Sequence, residues 1–261
     1  MMLKIAFRNI FRQKRRTILT ALTMFGGFAL ASFSIGWSDG SYNFIIRMFT
    51  GNQLGHIQIH QGDYRDRPSL YKTIDDYQKV WEKISKLAGV EGWAPRAYSA
   101  GLVSVGENSA GTRIIGIDPQ LENQATHFDK KIFSGSPLSF NPKNEAILGK
   151  GLAQVLKASL GDEVVVVSQA ADGSIANDLY SISGMIETGD AISDRTSFYL
   201  HLHDFQELFV MEGKVHEIAI LVENLGAVTV MAERIRKSIN NPDLEVARWQ
   251  EFARSFYQAM Q

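Results

Sequence analysis

One short motif in the sequence matches a known catalytic pattern. Residues 36–40 read GWSDG, which fits the G-x-S-x-G pattern of a serine nucleophile. That pattern works when the serine lies on a sharp turn between a strand and a helix. Ser38 instead follows 21 uncharged residues, Thr17 to Trp37, a stretch far longer than a strand. We therefore predict that Ser38 is not a nucleophile.

A second segment resembles part of a phosphate-binding loop. It reads AILGKG at residues 146–151. The P-loop needs a glycine five positions before its second glycine, and a serine or threonine after the lysine to hold magnesium. Asn144 and Gly151 occupy those two positions. The segment therefore fails as a nucleotide-binding loop.

The histidines form two closely spaced pairs. His56 and His60 lie in LGHIQIHQ, and His201 and His203 lie in HLHDF. Imidazoles at this spacing bind zinc when further protein ligands complete the site, but no third ligand stands at a recognisable spacing. We interpret both pairs as solvated surface residues. The chain has no cysteine, which excludes thiolate metal sites and cysteine nucleophiles. No catalytic, metal or cofactor-binding residue is predicted.

The charge of the chain is concentrated at its beginning. Lysine and arginine total 27, and aspartate and glutamate total 28. Six of the basic residues lie within the first sixteen positions, which leaves 21 basic against 28 acidic residues in the remainder. A nucleic-acid-binding protein carries basic residues across its folded surface. This distribution therefore argues against a nucleic-acid partner.

The uncharged stretch from Thr17 to Trp37 has the length of a membrane span. As a helix rising 1.5 Å per residue it would extend about 30 Å, the thickness of the hydrocarbon core of a bilayer. Arg12, Lys14, Arg15 and Arg16 precede it directly, and positive charge is enriched on the cytoplasmic side of spans. We expect the N-terminus to be cytoplasmic and the residues after Trp37 to be extracytoplasmic.

A cleavable signal peptide is the competing interpretation. ALA at 29–31 fits an A-x-A cleavage site behind a basic region. Cleavage there would leave only part of the apolar run as the signal. Residues 1–16 also form an amphipathic pattern that suits a helix on the anionic membrane surface. A retained anchor is favoured, and in either case most of the chain is exported.

The elements after the span predict an α+β domain. The order is strand–helix–strand, a strand-rich middle, and then helix–strand–helix–strand. We expect the flanking elements to pair across the middle into one lobe, with the middle as an inserted β-rich lobe. The expected boundaries are a cytoplasmic amphipathic elbow at 1–16, the span at 17–37, a stalk or connector at 38–53, the extracytoplasmic domain at 54–248 with its insert at about 106–200, and an amphipathic helix at 249–261.

Several segments in combination resemble permeases of ABC transporters in the MacB/FtsX superfamily. The segment LKIAFRNIFRQKRRT, which a span follows at once, resembles the start of such a permease. Three later segments resemble the LolC/LolE branch, the lipoprotein-releasing permeases. They are GHIQIHQGDYRDRPSLYKTI, EAILGKGLAQVLKASLGDEVVVV and SISGMIETGDAISDRTSFYLHLHDFQELF.

The resemblance implies a fold and a set of partners. Family permeases have four spans and a large extracytoplasmic domain after the first. That domain has a porter-like lobe with a second lobe inserted. They work as homo- or heterodimers with a separate cytosolic ATPase. LolC/LolE types pass lipoproteins from the inner membrane to a periplasmic carrier, whereas MacB types drive efflux of peptides or drugs.

For this chain the resemblance implies the N-terminal portion of a lipoprotein-releasing permease in the inner membrane. It would not be an enzyme, and its domain would bind substrate or carrier and relay ATP-driven motion. Because the sequence has one span, we expect either the front part of a longer permease or a truncated product. The alternatives are a MacB-type efflux permease and a stand-alone, membrane-anchored binding or regulatory module. No residue is assigned to substrate or carrier binding.

Overall fold

The computed structural model describes residues 14–46, 54–254 and 258. The chain divides into two compact units, 1–46 and 47–261. Arg12 and the rest of the predicted elbow up to residue 13 lie outside the described residues. So do residues 47–53 of the predicted connector and most of the predicted helix beyond residue 254.

The first unit contains one long helix, α1 (Lys14–Ile46), of 33 residues. Its segment Lys14–Ser38 is long and apolar enough to cross a membrane, with a mean hydropathy of 1.8 and none of it buried. Large apolar side chains point outward on every side, including Met24, Phe25 and Phe28. A helix that is apolar all round is suited to lipid or a protein core rather than to water.

Polar side chains within α1 are compatible with such a helix. The Thr20 hydroxyl donates a hydrogen bond to the Arg16 carbonyl over 2.9 Å, and the Thr23 hydroxyl donates to the Thr20 carbonyl over 2.9 Å. These bonds satisfy the hydroxyls without water. The helix does not end at Trp37 but continues through Ile46, so the first part of the predicted connector is helical.

The second unit is built on strands. In chain order they are β1 (Ile57–Gln61), β2 (Ile74–Asp75), β3 (Val90–Val105), β4 (Asn108–Ile117), β5 (Ile132–Gly135), β6 (Glu145–Gly149), β7 (Glu163–Gln169), β8 (Ile175–Ile186), β9 (Ser197–His201), β10 (Lys214–Val215), β11 (Glu217–Val222) and β12 (Leu244–Arg248).

Short helices connect these strands. They are α2 (Tyr77–Ile84), α3 (Pro119–Thr126), α4 (Lys150–Leu156), α5 (Ala191–Thr196), α6 (Leu202–Leu208), α7 (Val228–Ile239) and α8 (Trp249–Phe252), with two 3₁₀ turns at Phe128–Lys131 and Leu225–Ala227.

Ten of the described strands form one mixed sheet. Their order is β12-β1-β11-β3-β4-β9-β6-β8-β5, and β7 pairs with β3 and β8. Only β4 with β9 and β6 with β8 run parallel among these pairs. The strands on either side of residues 106–200 pair directly, because β11 lies between β1 and β3. The sheet then continues through β4, so the division into two lobes stays a prediction.

Helices cover the sheet and close its core. The Trp81 ring of α2 stacks on Trp93 of β3 with 4.5 Å between centroids. Helix α7 buries Met231 and Ile235. Helix α6 lies so close to β4 that a β-carbon on Gly116 would come within 2.6 Å of the Phe205 side chain.

The ends of two predicted helices are wrong. The apolar spacing in TIDDYQKVWEKISKLAGV predicts a helix that is capped by Thr73 or Asp75 and stopped by Gly89. Thr73 and Asp75 instead flank or form β2, and α2 follows Asp76, whose φ is 50°. The segment EAILGKGLAQVLKASLGD predicts a short strand and then a helix ending at Gly161. That helix, α4, ends at Leu156 and is followed by Lys157 with φ 53°. Periodicity identifies each helix, whereas a left-handed residue at its end leaves no clear signal in the sequence.

Candidate functional site

A row of polar residues crosses three neighbouring strands of the sheet. His60 of β1 stands opposite Glu217 of β11, and Glu217 stands opposite Arg96 of β3. Directly opposed residues in an antiparallel pair project from the same face. All three are buried, with 2%, 6% and 6% of their surface exposed, respectively. The register therefore places two ionisable groups around one guanidinium inside the domain.

Arg96 is bound by carboxylates from two directions. Its Nε and Nη2 donate to the two oxygens of Glu122 of α3 over 2.9 and 2.7 Å, and its Nη1 donates to Glu217 over 2.9 Å. The Thr126 hydroxyl donates to Glu122 over 2.7 Å. A two-point contact between guanidinium and carboxylate fixes orientation as well as charge. We call Arg96, Glu122, Glu217 and His60 the buried ionic network.

The network holds Glu217 in its charged form. Burial opposes ionisation, but the hydrogen bond with His60 and the charge of Arg96 lower the pKa of Glu217 to about 2. The His60 Nε2 lies 3.3 Å from a Glu217 oxygen. Removing one member of such a network leaves an uncompensated buried charge, which costs about 3–5 kcal/mol. The network therefore locks β1, β11, β3 and α3 to one another.

His216 adjoins the network as a neutral imidazole. Its Nδ1 accepts a hydrogen bond from the Tyr98 backbone N–H over 2.9 Å, and its Nε2 donates to the Leu70 carbonyl over 3.2 Å. Burial lowers the pKa of His216 to about 4. The ring also lies 5.2 Å from the ring of Tyr64. It joins β3 to the loop that follows β1.

An open cleft of about 740 Å³ lies beside the network. Its lining includes His60, Tyr64, Arg65, Tyr98, Arg113 and Phe252. The Arg113 guanidinium stands 4.4 Å above the centre of the Tyr98 ring. This volume lies within the range of about 300–1,000 Å³ that is typical of ligand pockets.

A smaller cavity of about 190 Å³ shares Tyr98 and Arg113 with the cleft. Its lining includes Phe128, Tyr199 and Lys131. Burial lowers the pKa of Lys131 to about 8, although the nearby Glu122 charge opposes that change. The Arg113–Tyr98 stack therefore lines both cavities.

The structure places the predicted topology residues on α1. Lys14, Arg15 and Arg16 are exposed in its first turn, and Thr17 and Trp37 lie within it. Their role in orientation stays a prediction. Ser38 has helix on both sides, which is not the strand–turn–helix geometry of a nucleophile elbow.

The interpretation of the first histidine pair as solvated is wrong. His56 and His60 are 3% and 2% exposed. The His56 Nδ1 accepts a hydrogen bond from the Val222 N–H over 3.0 Å, and His60 contacts Glu217. The alternation in LGHIQIHQ predicts one buried face, but residues Ile57 to His60 of β1 are all buried, so both of its faces are covered.

The second histidine pair has a different environment. His203 is exposed on α6, and the nearest ligating atoms of His203, Asp204 and Glu207 lie within 4.8 Å of one another. This group does not include His201, so it adds no third ligand to the histidine pair, and the exposure of His203 agrees with the solvated interpretation. The helix turns Glu207 back beside His203 because residues four apart share a face.

The sequence analysis missed Arg96, Glu122 and Glu217. Arg96 and Glu217 stand as single charges inside apolar strands, in WAPRAYS and VHEIAIL. Such isolated charges within buried strands signal a paired ionic group. Their partners are far apart in sequence, so only the strand register reveals the network.

The comparisons with known proteins agree with this architecture. The model of the MacB-like periplasmic core domain family matches residues 17–238. The chain belongs to this family. The match begins at the first residue of the apolar stretch and includes all but the first three residues of α1 and every strand of the sheet except β12.

Among similar curated proteins is the lipoprotein-releasing system transmembrane protein LolC of Neisseria meningitidis serogroup B. It is 20% identical over 198 residues, which cover 72% of this chain and 48% of that protein. LolC of Xylella fastidiosa is 25% identical over 177 residues, 66% of this chain and 42% of that protein. The chain thus spans about half the length of the curated relatives it matches.

Solved structures show the same fold. The periplasmic region of MacB from Actinobacillus actinomycetemcomitans aligns with a TM-score of 0.57 at 15% identity, covering 82% of this chain and 95% of that one. The extracellular domain of the noncanonic ABC-type transporter YknZ from Gram-positive bacteria aligns with a TM-score of 0.53 at 13% identity, covering 74% and 99%.

The family match and the apolar helix give the architecture of the chain. It combines a MacB-like periplasmic core domain with one helix that is long and apolar enough to cross a membrane. The predicted α+β fold with an N-terminal apolar helix is confirmed.

Proposed function

We propose that this chain serves a lipoprotein-releasing ABC transporter as part of its permease. The observation that carries the proposal is the similarity to LolC over 66% to 72% of the chain. In this proposal a cytosolic ATPase hydrolyses ATP, a second permease subunit completes the complex, and the extracytoplasmic domain contacts lipoprotein or its periplasmic carrier.

The proposed topology follows the charges around α1. The basic residues before Thr17 face the cytoplasm, the helix crosses the inner membrane among lipid, and the sheet domain lies in the periplasm. The absence of cysteine makes this testable with single introduced thiols. Glu107→Cys, in the exposed β3–β4 turn, should react with a membrane-impermeant maleimide in spheroplasts, whereas Gln13→Cys should react only after lysis. The reverse labelling would contradict the topology.

The buried ionic network supports a mechanical role for the domain. β1 is the first strand after α1 in the chain, and the network connects β1 through Glu217 to Arg96 of β3 and Glu122 of α3. Elements joined by buried ion pairs move together, because separating them exposes unpaired charge. In this proposal, a movement of the membrane helix displaces β1, and the network makes the strands and the helix joined to β1 move with it.

The experiment for the lipoprotein specificity uses proteoliposomes. The complex is purified from its native host with the subunits that accompany this chain, and is reconstituted with a radiolabelled lipoprotein. ATP-dependent transfer of the lipoprotein to a soluble carrier is the expected result. ATP-dependent transport of a peptide or drug without lipoprotein release would instead indicate an efflux permease and would overturn the lipoprotein assignment.

A further inference from the structure

Strand β3 has an interval that is paired on one side only. On the β4 side, its residues pair continuously from Arg96 to Val105. On the other side, pairing with β11 ends at Arg96 and pairing with β7 begins at Leu102. Residues 97–101 therefore have no strand on this side within the described residues. Open edges of this kind accept extended peptides in other recognition domains.

The main-chain groups of this interval have a defined direction. The Tyr98 N–H donates to His216 Nδ1, and the Ala100 carbonyl accepts from the Ser168 hydroxyl over 2.6 Å. Both partners lie on the side away from β4. Because the N–H and C=O of one strand residue point to the same side, the Tyr98 carbonyl and the Ala100 N–H also face this gap. These two groups can bind one residue of an extended ligand. The Tyr98 carbonyl would accept from the N–H of that residue, and the Ala100 N–H would donate to its C=O.

The cleft of about 740 Å³ opens onto the same interval. Tyr98, Ser99 and Ala100 contribute to its lining. Tyr64, Leu70 and Phe252 provide apolar and aromatic walls. A cavity of this size and composition suits a few apolar side chains along a main chain, rather than a single ion.

The charge of the cleft favours a carboxylate on the ligand. Its lining contains the guanidinium groups of Arg65 and Arg113, and one carboxylate, Glu217. Glu217 is already bonded to Arg96 and His60. Arg65 pairs with Glu245 over 2.9 Å. Arg113 is exposed, stacks on Tyr98 and forms no salt bridge within the part of the chain that the structure describes.

The His60 imidazole is part of the lining of the cleft. His60 is 2% exposed, and its Nδ1 has no hydrogen-bond partner among the described residues. Buried polar atoms in folded proteins nearly always have a partner. Because this nitrogen is itself buried, it marks an unsatisfied polar group beside the cleft and not a contact to a ligand.

We propose that the cleft binds a short extended peptide segment that carries a carboxylate side chain next to an apolar or aromatic one. The peptide main chain lies along residues 98–100 of β3, its carboxylate contacts Arg113, and its apolar side chains contact the aromatic walls. The segment belongs to a partner protein, and the cleft is a recognition site on the extracytoplasmic domain.

The test uses the full chain in detergent micelles and three defined probes. They are the blocked tetrapeptide Val-Asp-Phe-Val, its Val-Asn-Phe-Val counterpart, and N-acetylphenylalanine as a free small acid. Binding is measured by calorimetry for the unaltered chain, for Arg113→Gln, and for Arg195→Gln as a matched exposed arginine outside the cleft. Hydrogen exchange is followed in the fragment that contains residues 97–101.

We expect saturable binding of the aspartate peptide and slower exchange at residues 97–101 on its addition. The asparagine peptide and Arg113→Gln should each weaken binding roughly tenfold or more, since a charge-assisted hydrogen bond is lost. Arg195→Gln should bind as the unaltered chain does.

Three results would overturn the proposal. The first is no saturable binding of the aspartate peptide at millimolar concentration. The second is equal affinity for N-acetylphenylalanine, which would indicate a site for small carboxylates. The third is an unchanged affinity in Arg113→Gln. The site goes beyond the transport function proposed above, and the assay needs neither ATP nor an ATPase, so its failure is distinct from failure of that function.

Discussion

Replacing Arg96 by methionine tests the buried ionic network most severely. The change removes the three hydrogen bonds that the guanidinium makes with Glu122 and Glu217, of 2.9, 2.7 and 2.9 Å. It leaves two buried carboxylates near each other without the cation between them. Methionine has a similar length and is apolar, so the packing of the side-chain stem is largely kept.

The expected loss follows from the burial of the network. Breaking a buried ion pair by removing one partner costs about 3–5 kcal/mol. With a urea dependence of about 2 kcal/mol per molar, the midpoint of unfolding should fall by about 2 M. Much of the cost is repulsion and desolvation of the remaining carboxylates. The double variant Arg96→Met/Glu122→Gln should therefore be more stable than Arg96→Met alone.

Urea unfolding of the full chain in detergent measures this loss. The stacked rings of Trp81 and Trp93 report the state of the domain by fluorescence. The matched control is Arg195→Met, an exposed arginine on α5, which should change the free energy of unfolding by no more than about 0.5 kcal/mol. The reasoning is refuted if Arg96→Met unfolds at the same urea concentration as Arg195→Met, or if Glu122→Gln gives no recovery.

Three further predictions concern pH, packing and catalysis. Because the folded pKa of His216 is about 4 against an ordinary 6.5, its stabilising contribution is full above pH 6.5 and is lost as pH falls through 4. His216→Asn should therefore remove about 2 kcal/mol of the stability difference between pH 7 and pH 5 in urea titrations, and an unchanged difference would contradict this. Gly116→Ala places a methyl group against Phe205 and should lower the free energy of unfolding by about 1–3 kcal/mol. Gly111→Ala on the same strand meets no atom within 4 Å and should be nearly neutral. Equal shifts of the melting temperature in the two variants would be inconsistent with the packing described. Ser38→Ala should leave lipoprotein transfer in proteoliposomes unchanged, and a large loss would reopen the possibility of a nucleophile.

The sequence predicts the element types well because their periodicities are strong. The apolar stretch from Thr17 forms the first helix, and LGHIQIHQ forms β1, as its alternation indicates. The element ends are less predictable. Asp76 precedes α2 and Lys157 follows α4, and both adopt positive φ values. Nothing in the sequence distinguishes these two residues from their neighbours as helix ends.

The candidate site is less predictable because it depends on register. Glu217 and Arg96 are 121 positions apart, and neither has a sequence neighbour that indicates its partner. Only the order β1-β11-β3 brings them together with His60. The solvated interpretation of His56 and His60 fails for the same reason, since a strand pattern does not tell how many elements cover each face.

Isolation of the chain with its native partners tests the central claim most directly. The gene is tagged in its native host, the membranes are dissolved in mild detergent, and the purified complex is analysed by mass spectrometry and for ATP hydrolysis. The account predicts an ABC ATPase in stoichiometric amount. A chain that purifies repeatedly without any ATPase, while its domain remains folded, would contradict its assignment as a working transporter permease.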